Sequence, residues 1–100
     1  MPNSDYTAVE LLEKLVAFDT TSRNSNLELI QFTSDYLANY GVDAEVIHDD
    51  TGAKANLYAT LGPRRDGGIV LSGHTDVVPV DGQDWETDPF ELHESNGKLF

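Results

Sequence analysis

The spacing of apolar residues changes once along this chain, near residue 43. That change points to an α/β architecture and sets the order of its elements. Thr7-Ala-Val-Glu10 has the capping-box form, a hydroxyl at the N-cap and a glutamate three residues later. Leu11, Leu12, Leu15 and Val16 follow on one helical face, with Phe18 closing it, so a first helix is expected over residues 7–17. Residues 19–25 are polar and break it. This connection could face a site, because loops often carry function, or it could simply join two helices. Ser25 or Asn26 can cap a second helix. Ile30, Thr33, Leu37 and Tyr40 form its inward stripe, and Gly41 stands at the C′ position. Phe32, Tyr36 and Tyr40 read as core and rim packing.

Beyond residue 43 the pattern becomes that of strands. Residues 44–48 and 56–61 are short strands around the turn Asp49-Asp-Thr-Gly52, expected to pair antiparallel. Gly62-Pro-Arg-Arg-Asp-Gly-Gly68 is a solvated loop. Its paired glycines do not lead from a strand into a helix, so they are no phosphate-binding signature. Ile69-Val-Leu71, all apolar, predicts a third strand buried on both faces. Residues 81–90 form an irregular loop holding the single Trp85. Asn96-Gly97 then marks a hairpin between residues 90–94 and 98–100. The chain stops inside that hairpin's second strand, so these residues are expected to be the front portion of a longer protein. The expected order is therefore helix-helix-strand-strand-strand-hairpin.

Composition narrows the chemistry. Eighteen acidic residues against six basic ones give a net charge of −12, which argues against nucleic acid and anionic membranes as partners. No apolar run approaches the roughly 18 residues that span a bilayer. The N-terminus lacks a basic region followed by an apolar one, so a cytoplasmic protein is expected. There are no cysteines. Any metal must therefore be held by histidine and carboxylates.

The chemically loaded stretch is Leu71-Ser-Gly-His-Thr-Asp-Val-Val-Pro-Val80. On an extended backbone, His74 and Asp76 project to the same side. Pro79 stops the segment from continuing as a central strand. Three readings are open. The pair can be a strand-end histidine with a turn-capping aspartate. It can be a hydrolytic pair served by Ser72, although no Gly-x-Ser-x-Gly elbow is present. It can also be part of a metal site, in which the aspartate either accepts from one ring nitrogen and leaves the other for the metal, or supplies a bridging carboxylate nearby. A strand end beside a loop is where open α/β sheets place ligands. His48 and His93 are the weaker candidates, and His93 is expected to face solvent.

Ser72-Gly-His-Thr-Asp-Val-Val-Pro79, Val80-Asp-Gly-Gln-Asp-Trp85, Thr87-Asp-Pro-Phe90 and Asn96-Gly-Lys-Leu-Phe100 resemble the zinc-dependent amidohydrolase/peptidase family. Glu10-Leu-Leu-Glu-Lys-Leu-Val-Ala-Phe-Asp-Thr-Thr-Ser22 looks like the family's first helix and the loop after it. The resemblance spans essentially the whole chain. It implies that residues 1–100 are the N-terminal portion of a mixed-sheet catalytic domain, lacking an inserted domain through which the family dimerises. It implies that His74 binds one of two zinc ions, with cobalt an alternative metal, and that Asp76 is an active-site residue orienting that histidine. Val77, Val78 and Pro79 would shape the adjoining wall. The remaining metal ligands and the general-base glutamate would lie beyond Phe100, so the 100 residues alone would be inactive. The implied substrate is a small N-acyl amino acid. The segments at 80–85 and 87–90 look most like members that deacetylate N2-acetylornithine in arginine biosynthesis. Members acting on N-succinyl-diaminopimelate or on acyl-amino acids generally remain open, as does a non-catalytic binding or assembly module.

Overall fold

The structure, a computed structural model, describes residues 5–100; residues 1–4 of the N-terminal stretch read above lie outside it. The elements follow in the order α1 (Ala8–Val16), α2 (Leu27–Ala38), β1 (Glu45–His48), β2 (Ala55–Tyr58), β3 (Glu94–Ser95) and β4 (Lys98–Leu99). The chain is thus a small α/β unit, as its periodicity predicts.

Each element begins and ends where its residues dictate. Thr7 Oγ1 accepts from the Glu10 N–H at 3.1 Å, and Glu10 Oε1 accepts from the Thr7 N–H at 2.9 Å. The capping box is complete, and it holds the Glu10 carboxyl below its ordinary value of 4.5. At the start of α2, Ser25 Oγ accepts from the Leu27 N–H at 3.1 Å, while Asn26 makes no capping bond. α2 ends where Gly41 turns to φ +74. There the Val42 N–H donates to Leu37 O at 3.1 Å and the Gly41 N–H to Ala38 O at 3.0 Å. These two bonds are the pair that a C′ glycine makes possible.

β1 and β2 pair antiparallel in the register Glu45↔Tyr58 to His48↔Ala55. Val46 lies opposite Leu57 on the face turned to the core, and Ile47 and Asn56 are exposed. The core is small. Leu29 and Ile30 of α2 and Ala55 of β2 are buried, and Leu15, Phe18, Leu27, Val46 and Leu57 pack around them. An aromatic ladder runs beside it. Phe18 stacks at 5.8 Å on Phe32, Tyr6 meets Phe32 and Tyr36, and Tyr36 meets Tyr40 edge-on at 5.3 Å. The second hairpin turns on Asn96 and Gly97, at φ +53 and +75. His93 and Phe100 exchange both backbone bonds just outside β3 and β4.

Residues 69–71 correct the sequence reading. They form no strand, and Ile69, Val70 and Leu71 are 89, 79 and 93% exposed. An apolar run supplies surface to bury but no ladder of its own. Neither β1–β2 nor β3–β4 extends to meet it. The observed order is therefore helix-helix-strand-strand-hairpin. Both sheets are two-stranded and antiparallel. The parallel component expected of a mixed sheet is limited, among the described residues, to the single bridge Thr21↔Val77. No helix of the described residues is long and apolar enough to cross a membrane.

Candidate functional site

His74 and Asp76 sit on extended backbone with almost no ladder of its own. What fixes that backbone is the loop between α1 and α2. The Ser22 N–H donates to Val77 O at 3.0 Å, and the Val77 N–H donates to Thr20 O at 3.1 Å. Thr20 Oγ1 donates to Thr75 O at 2.6 Å. Thr20 and Thr21 are buried, and Thr21 also turns its hydroxyl to Asp19 at 2.6 Å. Two hydroxyl-bearing residues thus replace the strand neighbour that residues 75–77 otherwise lack. Further along, Arg23 pairs with Asp81 at 2.9 Å between two exposed side chains.

The neighbouring strand is tied in by an amide. Asn26 Oδ1 accepts from the Ala55 N–H at 3.0 Å, and its Nδ2 donates to Ala55 O at 2.9 Å. The same Nδ2 approaches Thr75 Oγ1 at 3.4 Å. Asn26 therefore acts on β2 as one peptide unit of a further strand would, and links β2 to the segment that carries His74.

The two singled-out side chains meet. His74 Nδ1 lies 3.0 Å from Asp76 Oδ1 and 3.0 Å from the Asp76 carbonyl oxygen. A carbonyl oxygen can only accept, so Nδ1 carries the hydrogen in this arrangement, and a neutral ring then has its lone pair on Nε2. Ser22 Oγ donates to the second carboxylate oxygen, Asp76 Oδ2, at 2.8 Å. The Ser22 bond first, and the His74 bond second, hold the Asp76 carboxyl below its ordinary 3.8. It is ionised at neutral pH. The side chains of His74 and Asp76 are 83% and 56% exposed, so hydrogen bonds rather than packing orient the imidazole.

An imidazole presenting a free Nε2 beside a carboxylate fits one position of a zinc shell. Among the described residues no group of three or more His, Cys, Asp or Glu could enclose a metal. His48 and His93 are both exposed, as expected for His93. Ser72 makes no bond to His74 among the described residues. The hydroxyl that serves the pair is that of Ser22, and it touches the aspartate. An open cleft is lined by Thr20, Asn24 and Asn26, by residues 55–58 of β2 with His48 and Lys54, and by His74 and Asp76. The sequence reading left the 19–25 loop undecided between site and connector. The structure brings it onto the site through contacts more than 50 residues apart, which no spacing rule reports.

The chain matches no protein-family profile and no solved structure. It is similar to curated acetylornithine deacetylases. It is 38% identical to that of Pasteurella multocida over 96 residues, covering 95% of this chain and 25% of the relative. It is 40% identical to that of Proteus mirabilis over 101 residues, 94% of this chain and 26% of the relative. It is 36% identical to that of Shigella sonnei over 96 residues, 95% and 25%. The chain spans about a quarter of the length of these relatives. Nearly all of its own length is similar to the N-terminal part of acetylornithine deacetylases.

Proposed function

We propose that this chain is the front of the catalytic domain of a metal-dependent hydrolase that converts N2-acetylornithine to ornithine and acetate, the step that would serve arginine biosynthesis in the cytoplasm. The relatives' shared name supports the substrate, and a homodimeric parent is part of the same reading. The observation that carries the chemistry is the committed ring nitrogen. His74 gives its Nδ1 hydrogen to Asp76 and keeps Nε2 for a metal. Asp76 is the residue that orients the ligand and raises its basicity. Bound zinc, two ions in the parent or cobalt in their place, would polarise the acetyl carbonyl and lower the pKa of a bound water.

This chain's residues do the positioning. The 20–22 loop holds residues 75–77 extended, Asp76 fixes the ring, and Val77, Val78 and Pro79 wall the approach. On this reading the remaining ligands and the general base come from outside these residues, and the 100 residues alone are expected to show no turnover.

The test uses the full-length protein. Zinc-dependent release of acetate from N2-acetylornithine is expected, with His74→Ala abolishing it and Asp76→Ala lowering it about 10- to 100-fold. A zinc-binding parent that ignores this substrate but cleaves N-succinyl-diaminopimelate or other acyl-amino acids would move the substrate assignment. A parent whose zinc binding is unchanged in both variants would sink the metal reading and favour a non-catalytic module. Turnover by the 100-residue chain itself would overturn its assignment as an inactive portion.

A further inference from the structure

We propose that Ser22 is a positioning residue of the His74–Asp76 site, gripping one carboxylate oxygen of Asp76 so that the other holds the His74 ring with Nε2 directed outward. This rests on the metal reading above and adds to it a residue from the other end of the chain. The Asp76 side chain is more than half exposed and has two rotatable bonds, so packing does not fix its plane. Two hydrogen bonds do so, Oδ1 with His74 Nδ1 at 3.0 Å and Oδ2 with Ser22 Oγ at 2.8 Å. A carboxylate held at both oxygens presents a defined direction to the imidazole. Held at one, it can swing and share His74 with water.

The Ser22 hydroxyl is itself placed beforehand. Its residue's backbone N–H is bonded to Val77 O, and its neighbours Thr20 and Thr21 are buried against the same segment. Lys54 Nζ also holds the Ser22 carbonyl oxygen. The hydroxyl has one hydrogen. Val77 O lies at 3.3 Å, farther than the Asp76 oxygen and uncharged, so the hydrogen goes to Asp76. Because the backbone N–H makes the bond to Val77, removing the hydroxyl leaves the loop's main attachment in place.

The experiment uses the metal-free and zinc-titrated full-length protein. Ser22→Ala and Ser22→Gly remove the hydroxyl, Ser22→Thr keeps it, and His74→Ala and Asp76→Ala serve as references. Zinc affinity is read by chelator competition. The His74 tautomer is read from ring nitrogen chemical shifts without metal, and Tm alongside. Both hydroxyl-free variants are expected to bind zinc about tenfold more weakly. They should show a mixed His74 tautomer at a nearly unchanged Tm, while Ser22→Thr keeps the parent values. The proposal is overturned, with the metal reading intact, if the hydroxyl-free variants keep affinity and tautomer while His74→Ala loses zinc. It is overturned in favour of a purely structural role if Tm falls together with affinity and Ser22→Thr gives no rescue. If His74→Ala binds zinc like the parent, the metal reading falls and takes this proposal with it.

Discussion

Residues 5–58 and residues 62–91 are held in place by different means. In the first segment, α2 lies on β2 and buries Leu29, Ile30 and Ala55 among half-buried neighbours. The second segment has no helix or strand and leaves Ile69, Val70, Leu71 and Val78 exposed. It is attached to the first by hydrogen bonds from Thr20, Ser22 and Asn26 and by the Arg23–Asp81 pair. The lesson is that the chemistry-bearing half has little packing of its own. Its geometry is imposed on it by polar residues of the 20–26 loop. Cavity-forming changes should therefore hurt the first segment, and loss of single polar groups should hurt the link between the two.

The largest effect separates packed from unpacked aliphatics. Ile30→Ala is expected to cost about 2–5 kcal/mol of unfolding free energy in this chain, since it empties part of a small core. Leu71→Ala should stay within about 0.5 kcal/mol, because that side chain stands in solvent. Urea denaturation of the two variants measures both. Equal costs in this chain would break the comparison. If Leu71→Ala becomes as costly as Ile30→Ala only in the full-length protein, the run at 69–71 is covered there.

The link itself is tested at Asn26. Its amide satisfies both the N–H and the carbonyl of buried Ala55. Asn26→Ala leaves those two groups without a partner and is expected to cost about 1–3 kcal/mol. Amide exchange should report the loss first at Ala55 and then in residues 75–77. A change confined to α2 would mean that Asn26 acts only as a helix-start residue.

The sequence made legible those features that are local. Thr7 and Glu10 are three residues apart, Gly41 ends a helix by its own φ, and Asn96-Gly97 makes a turn between adjacent residues. All three stand where the pattern puts them. The meeting of His74 and Asp76 is also a two-residue matter. The strand expected at 69–71 failed because burial on two faces needs neighbours, and an apolar triplet carries no information about who they are. Ser22 and Asn26 were invisible as linkers for the same reason. Their partners lie 54 and 29 residues away; Ser22 reads as one of the polar residues that break the first helix, and Asn26 already has a sufficient local explanation as a cap. The division is visible in α2, where Ser25 does the capping and Asn26 reaches across to β2.

The smallest expected effect is a dependence on acid, and it should fall unevenly on the two segments. Asp76 and Asp81 are both held below their ordinary value of 3.8, Asp76 by the Ser22 hydroxyl first and Asp81 by the Arg23 guanidinium first. A carboxyl whose folded value is lowered contributes stability that is fully present above its unfolded value and is lost as pH falls through the folded one. The contribution is therefore complete at neutral pH and starts to fade below about pH 3.8. Glu10, Asp19 and Asp49 are lowered as well, but their partners Thr7, Thr21 and Thr51 lie within three residues. Their protonation loosens a helix start or a turn and leaves the core contacts of Leu29, Ile30 and Ala55 untouched. Protonating Asp76 and Asp81 removes two of the attachments of the 62–91 segment. Amide exchange followed from pH 6 to pH 3, with the intrinsic pH dependence divided out, should show Ser22 and Val77 losing protection before Ile30 does, whose N–H is bonded to Asn26 O in the packed segment. Ser22→Ala should flatten the part of that change that belongs to Asp76. If Ile30 loses protection first, the acid-sensitive attachments lie in the packed segment, and the two segments are not held in different ways.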